Sequence, residues 1–214
     1  MWFVNVGRTG ERVTRRWARA LVVLLALAAS ARAEPAWRRV SERDGMVVET
    51  RSVEGSAMRE VRVTTHDALP PDAIMTTLWR HEEYPRFVDF LEQVAVLRDD
   101  GDSKLVYERI RVPLGRDRDT TLRITRTHAD GGWEVVSTAV PDEGPPPGAG
   151  YVRIRASRSV WRLAPGLTGG TDVSYEIRTD AGGLLPGWIV ARVQNTAAAK
   201  FVRAVLERAR QPRS

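Results

Sequence analysis

Residues 112–119 read VPLGRDRD: four alternating charges (Arg116, Asp117, Arg118 and Asp119) between a Pro-Leu-Gly turn and an apolar strand pattern. Glu108 stands in the strand pattern before them. Carboxylates in such a cluster can act as general acids or bases, hold a hard cation or pair with guanidinium groups. The sequence argues against the cation, because Asp117 and Asp119 alternate with Arg and leave too few uncompensated oxygens. His66, His81 and His128 are scattered, and the chain has no Cys, so no zinc-ligand spacing is present. His81-Glu82-Glu83 reads as a short solvated patch. No G-x-S-x-G, Walker or Gly-rich dinucleotide pattern occurs. With no catalytic motif visible, the expectation is a protein that is not an enzyme and carries no metal and no cofactor.

Side chains alternate faces along a strand. In 105–112, LVYERIRV, the even positions Val106, Glu108, Ile110 and Val112 make the more apolar face, with Glu108 in its middle. In 118–126 the even positions Arg118, Thr120, Leu122 and Ile124 are the buried candidates, and Asp119 points the other way. The short turn around Pro113-Leu114-Gly115 makes these strands antiparallel neighbours. One carboxylate and one guanidinium then share the inward face. A lone buried charge is very costly, so the spacing predicts a Glu108–Arg118 ion pair. A bulge after Gly115 would flip the parity, and a slip of two residues would exchange Arg118 for Arg116. Arg116 and Asp117 read as turn chemistry, and Asp119 as an outward strand residue.

The elements that must position these residues follow from periodicity. Residues 45–53 and 57–65 read as two strands joined by Glu54-Gly55-Ser56, with Val61 and Val63 on one face. Pro70-Pro71-Asp72 opens a helix carrying Ile74 and Leu78. A second short helix is expected after Tyr84-Pro85, since Phe87, Phe90, Leu91 and Val94 fall at helical spacing. Six strands follow, at about 94–98, 104–112, 118–127, 132–140, 151–163 and 171–179. The segment 141–150, PDEGPPPGAG, is a stiff connector or a loop at a cavity mouth. The last element is a long helix, 186–210, whose stripe Ile189, Val193, Ala197, Phe201 and Val205 suits it to lie on a sheet. The order ββ, αα, six β, long α predicts an α+β fold, an antiparallel sheet covered by its terminal helix.

The first 33 residues stand apart. A basic stretch with Arg8, Arg12, Arg15, Arg16 and Arg19 precedes the apolar run 20–29, and Ala31 and Ala33 make an A-x-A site. This is the pattern of an export signal, and the run is too short to span a bilayer. The expected division is 1–33 signal peptide and 34–214 a single domain. The formal charge of +6 belongs mostly to the signal, leaving +1 on the mature chain. A nucleic-acid partner is therefore not expected. The mature domain, without Cys, must be held by its core.

Several stretches together resemble the START (StAR-related lipid transfer) family. They are Glu108 with Pro113 and Arg118-Asp119, then Tyr151-Val152-Arg153-Ile154 with Trp161-Arg162-Leu163-Ala164-Pro165. Val173-Ser174-Tyr175-Glu176 and Asp180-Ala181-Gly182-Gly183-Leu184-Leu185-Pro186-Gly187-Trp188 complete the set. The resemblance implies a helix-grip fold: a curved antiparallel sheet wrapped around a long C-terminal helix, with a hydrophobic cavity between them. It implies binding of one lipid or similar molecule without catalysis, with Glu108 and Arg118 polarising the site. The segment VPLGRDRD departs from the family in having a single Pro and no aromatic beside it.

The expected protein is therefore a periplasmic or secreted monomer that binds, and can transfer, a lipid or other hydrophobic molecule. Glu108, Arg118, Ile189, Val193, Ala197 and Phe201 would contact the ligand. Trp188, with Leu184 and Leu185, would form a gate and touch a membrane transiently. The alternative is a cyclase- or aromatase-like enzyme on the same scaffold, with Glu108 as general base. An inward Glu108 beyond reach of any Arg would favour that alternative.

Overall fold

The computed structural model of the protein describes residues 35–53, 59–180, 182 and 187–212, and for 187–194 the backbone alone. The chain separates into two units, Met1–Pro35 and Ala36–Ser214, and the fold described is that of the second. Its described elements are strands β1 (Arg38–Arg43), β2 (Met46–Ser52) and β3 (Arg59–Asp67), then helix α1 (Pro71–Leu78) and a 3-10 helix (His81–Arg86). Strands β4 (Leu91–Asp99), β5 (Ser103–Ile110), β6 (Arg118–Ala129), β7 (Gly132–Ala139), β8 (Val152–Arg153), β9 (Ala156–Pro165) and β10 (Thr171–Asp180) follow, and helix α2 (Gly187–Arg210) ends the fold.

Nine strands pair in the order β1-β2-β3-β10-β9-β7-β6-β5-β4, with β8 beside β6. The pairs on this path are antiparallel, and β8 is parallel to β6. β1 and β4 are free edges, so the sheet is curved but not closed. Helix α2 packs against α1, β2, β3 and β10. Val202, Val205 and Leu206 on α2 are almost fully buried, as are Val61, Val63, Leu163, Ile74 and Leu78. Each such side chain contributes roughly 1.5–3 kcal/mol by burial. Arg208 and Arg210 sit in the last turn of α2, where cations complement the helix dipole. The same end is held by ion pairs of Arg203 with Asp44 (2.8 Å), Arg208 with Glu83 (3.1 Å), and Arg210 with Asp67.

Three expectations about the elements need correction. β1 was not expected: its residues are almost all exposed, so it shows no apolar alternation. Asp44 (φ 52°) and Gly45 (φ 72°) turn it into β2. In place of the expected second helix after Tyr84-Pro85 there is the six-residue 3-10 helix His81–Arg86, which ends just past Pro85 and is followed by β4. Leu91 pairs with Ile110 and Val94 with Glu108, so the apolar spacing there belongs to a turn and an edge strand. The expected strand 151–163 is broken between Arg153 and Ala156. Its first part pairs with Arg118 and Asp119 of β6, just before β7 takes up pairing at Leu122.

Gly132 marks a tight approach in the sheet. A Cβ there would lie 2.3 Å from the Leu163 carbonyl oxygen of β9. Gly132→Ala should therefore destabilise the fold by about 1–3 kcal/mol, the usual cost of overpacking. Thermal unfolding checks it, and an unchanged melting temperature would mean the β7–β9 spacing relaxes freely.

Candidate functional site

The concave face of the sheet and the inner side of α2 enclose a cavity of about 710 Å³, within the range of small-molecule sites. Strand alternation builds its wall. β5 contributes Glu108 and Ile110, and β6 contributes Arg118, Thr120, Leu122 and Ile124. Ser137, Ser159, Trp161, Tyr175 and Ile177 extend the wall across β7, β9 and β10, while Ala197, Lys200 and Phe201 face it from α2. Phe201 is the aromatic hub. Its ring centroid lies 5.6 Å from those of Tyr84, Trp161 and Tyr175, each in an edge arrangement, a favoured geometry for aromatic pairs.

Both inward charges are where strand parity put them. Glu108 is 9% exposed and Arg118 3% exposed, and both line the cavity. Arg116, in contrast, is exposed and donates to the carbonyls of Gly150 and Tyr151, which settles the register in favour of Arg118. The expected ion pair is not formed. Glu108 faces Thr120 across the ladder and Arg118 faces Ile110, so the two charges are diagonal neighbours, a wider separation than directly paired positions. The Arg118 guanidinium instead donates to the carbonyl oxygens of Arg116 and Gly182 (3.1 Å for the latter), bracing the turn against the stretch before α2. Among the described residues Glu108 has no ion pair. Burial without a compensating charge pushes its carboxyl up from 4.5 to about 7. Burial, and then the nearby Glu108 carboxylate, also raise the Tyr84 phenol well above its ordinary value.

His81 corrects another expectation. It is 3% exposed rather than solvated, and it lines the cavity. Trp79 and Tyr84 flank its ring at 5.8 and 5.1 Å. Burial, reinforced by the charge of Lys104, lowers its pKa to about 3, so the imidazole is neutral. The sequence carried a faint signal of this in the aromatic residues on either side of His81.

Asp119 points away from the cavity, as parity requires, yet it is fully buried. Arg153 of β8 grips it in a two-point ion pair (2.9 and 3.0 Å), and Tyr107 and the Gly148 amide add further hydrogen bonds at 3.0 Å. Arg153 also donates to the carbonyls of Pro141 and Pro145. The proline-rich segment 141–150 is thus strapped over the outer face of β5 and β6, and it contributes no residue to the cavity wall. Burial pushes the Asp119 carboxyl up, but the Arg153, Gly148 and Tyr107 hydrogen bonds outweigh it and hold it below the ordinary carboxylate range. Asp117 accepts from the Val112 amide (3.1 Å), the turn role expected for it.

Of the remaining expected site residues, Ala197 and Phe201 line the cavity. The side chains of Trp188, Ile189 and Val193, and residues Leu184 and Leu185 altogether, lie outside the described residues.

An open antiparallel sheet gripping one long helix around a cavity of ligand size defines a helix-grip, ligand-binding class of protein. Within that class the chain belongs to the START domain family, whose family model matches residues 16–214. A STAR-related lipid transfer protein from Xanthomonas axonopodis superposes with a TM-score of 0.76 at 25% identity, covering 82% of this chain and 99% of that one. The ZhuI aromatase/cyclase of a Streptomyces species shares the fold at a TM-score of 0.57 and 19% identity, over 71% of this chain and 93% of its own. An uncharacterized protein of Pseudomonas aeruginosa is 25% identical over 162 residues, 72% of this chain and 76% of the relative. Family and cavity together support binding of a hydrophobic ligand.

Proposed function

We propose that the protein binds and carries a lipid or comparable hydrophobic molecule in this cavity, as a monomer outside the cytoplasm. The observation that carries the reading is the cavity of about 710 Å³ between sheet and α2, apolar over most of its wall with polar groups at a few points. Each buried methylene contributes about 0.8 kcal/mol, so a long apolar body binds with few polar contacts. Trp161, Tyr175, Ala197 and Phe201 hold that body, with Ile189 and Val193 continuing the stripe on α2. Glu108 and Arg118 meet the polar end. Three ion pairs clamp the C-terminal end of α2, so ligand exchange proceeds at its other end, where Trp188, Leu184 and Leu185 form the gate and touch the membrane. The export-type composition of residues 1–33 supports the location.

Native mass spectrometry of the protein from its own cell envelope tests the reading, alongside Ala197→Trp. The wild type should carry one co-purifying lipid-like molecule. The variant, whose indole fills part of the cavity, should lose it without a fall in melting temperature. A wild type that never carries a ligand and takes none up from phospholipid vesicles would overturn the carrier reading.

The unpaired Glu108 favours a second reading, an aromatase- or cyclase-like enzyme. A buried carboxyl with a pKa of about 7 is suited to general base work near neutral pH. A bound molecule whose mass changes on incubation with wild type but not with Glu108→Gln would support it, and one released unchanged supports carriage.

A further inference from the structure

Buried polar atoms almost always find a partner, yet four side-chain atoms among the described residues have none: His81 Nδ1, Thr120 Oγ1, Thr121 Oγ1 and Ser137 Oγ. Three of those residues, His81, Thr120 and Ser137, line the cavity. They do not cluster at one place. Thr120 sits directly across from the unpaired Glu108. Ser137 sits across from Ile124 on one side and Ser159 on the other. Thr120 and Ile124 are four residues apart on β6, so Ser137 lies about 14 Å from Thr120, four strand rises along and one strand over.

The far position has a second polar group. Lys104 is paired with Ile124 in the same row of the sheet, and its ammonium donates to the Trp79 carbonyl (2.9 Å), just before His81. The buried imidazole of His81 is therefore brought to the Lys104–Ile124–Ser137 end of the cavity. The Ser137 hydroxyl can donate and accept, and the neutral imidazole adds one nitrogen that donates or accepts according to its tautomer. With a neutral imidazole and hydroxyls, this end suits an uncharged hydroxyl or carbonyl. Between the two ends the wall on β6 is the apolar Leu122.

We propose that the cavity takes a ligand with two polar ends: one met by Glu108 and Thr120, the other an uncharged hydroxyl or carbonyl about 14 Å away, met by Ser137 and His81. This rests on the hydrophobe-binding reading and names the ligand class for it: an apolar body oxygenated at both ends, not a single-headed lipid.

The test compares linear alcohols, decanol to hexadecanol, with the corresponding terminal diols, by calorimetric titration of delipidated full-length protein. In a pocket apolar at its far end, the added hydroxyl weakens binding on the order of ten- to a hundredfold. Here a diol of matching length should bind at least as tightly as its alcohol. Ser137→Ala should then weaken that diol by about tenfold or more and leave the alcohol unchanged. Since Ser137→Ala removes an unpartnered buried hydroxyl, the variant should fold. Diols weakened equally in both proteins, or favoured equally in both, would overturn the assignment of the far end while leaving hydrophobe binding in place. Failure of every alcohol and diol to bind would overturn hydrophobe binding and the two-ended ligand with it.

Discussion

Asp119→Asn is expected to lower the melting temperature by on the order of 10 °C, since breaking a buried ion pair costs about 3–5 kcal/mol and a domain of this size shifts by roughly 2–4 °C per kcal/mol. Asp119 is fully buried and the Arg153 side chain 6% exposed, so the amide variant leaves a guanidinium in the interior with no carboxylate. It also replaces one oxygen of a carboxylate that accepts four hydrogen bonds by an amide NH2, which in either orientation meets an Arg153 N–H donor to donor. Removing both charges together, in Asp119→Leu with Arg153→Met, should recover much of the loss, because a buried pair is only weakly better than apolar residues of similar volume. The single variant tests whether the strap 141–153 is part of the fold. Chemical unfolding and limited proteolysis in 141–150 check it, and an unchanged melting temperature with an uncut loop would mean that Arg153 finds water.

The same carboxyl sets an acid limit. Its folded pKa lies below the ordinary 3.8, so its contribution is fully present above that value and is lost as pH falls through the folded pKa. The wild type should therefore lose stability steeply in that window. Asp119→Asn, with nothing to protonate there, should show a flatter acid limb.

What was legible in the sequence was local. Alternation of faces is a property of each strand, so Glu108 and Arg118 could be turned inward from LVYERIRV and RDTTLRITR alone, without knowing what lies opposite. The Val61/Val63 face was legible for the same reason, and the helical period did the same for Ala197, Phe201 and Val205 on α2. The misreadings at the site are non-local. Asp119 was correctly faced outward, but the segment that covers it arrives more than twenty residues later, and its stretch 141–150 carries no apolar periodicity, only Pro, Gly, one Ala and two acids. His81 is buried by a sheet whose facing strands come from remote parts of the chain. The Glu108–Arg118 pair failed on register: same-face membership was right, but a diagonal offset and nearby carbonyl acceptors took the guanidinium elsewhere. Phe87, Phe90, Leu91 and Val94 match a helical period by coincidence of a turn and a strand, and Pro85 does not separate the two, since Pro suits a helix start as well as a turn.

Glu108→Gln should stabilise the ligand-free protein at pH 8 and leave it unchanged near pH 4. Between the ordinary carboxyl value of 4.5 and the folded value of about 7, the folded state keeps a proton that the unfolded chain has released. Stability of the wild type therefore falls as pH rises across that window and stays low above it. A shift of this size is worth about 3 kcal/mol at most, or on the order of 10 °C in melting temperature. Gln fills nearly the same volume and never ionises, so the variant escapes the fall. A gain that grows from pH 4 to pH 8 would mark Glu108 as a buried charge lacking a partner until a ligand supplies one. Loss of stability at pH 8, or a difference independent of pH, would mean that the carboxylate is already compensated and that the cavity gains nothing from a donor on its ligand. The sign matters for function as well as folding. A carboxyl near its midpoint at neutral pH presents a donor to one ligand and an acceptor to another, so the profile of ligand affinity against pH should turn over in the same window as the stability difference.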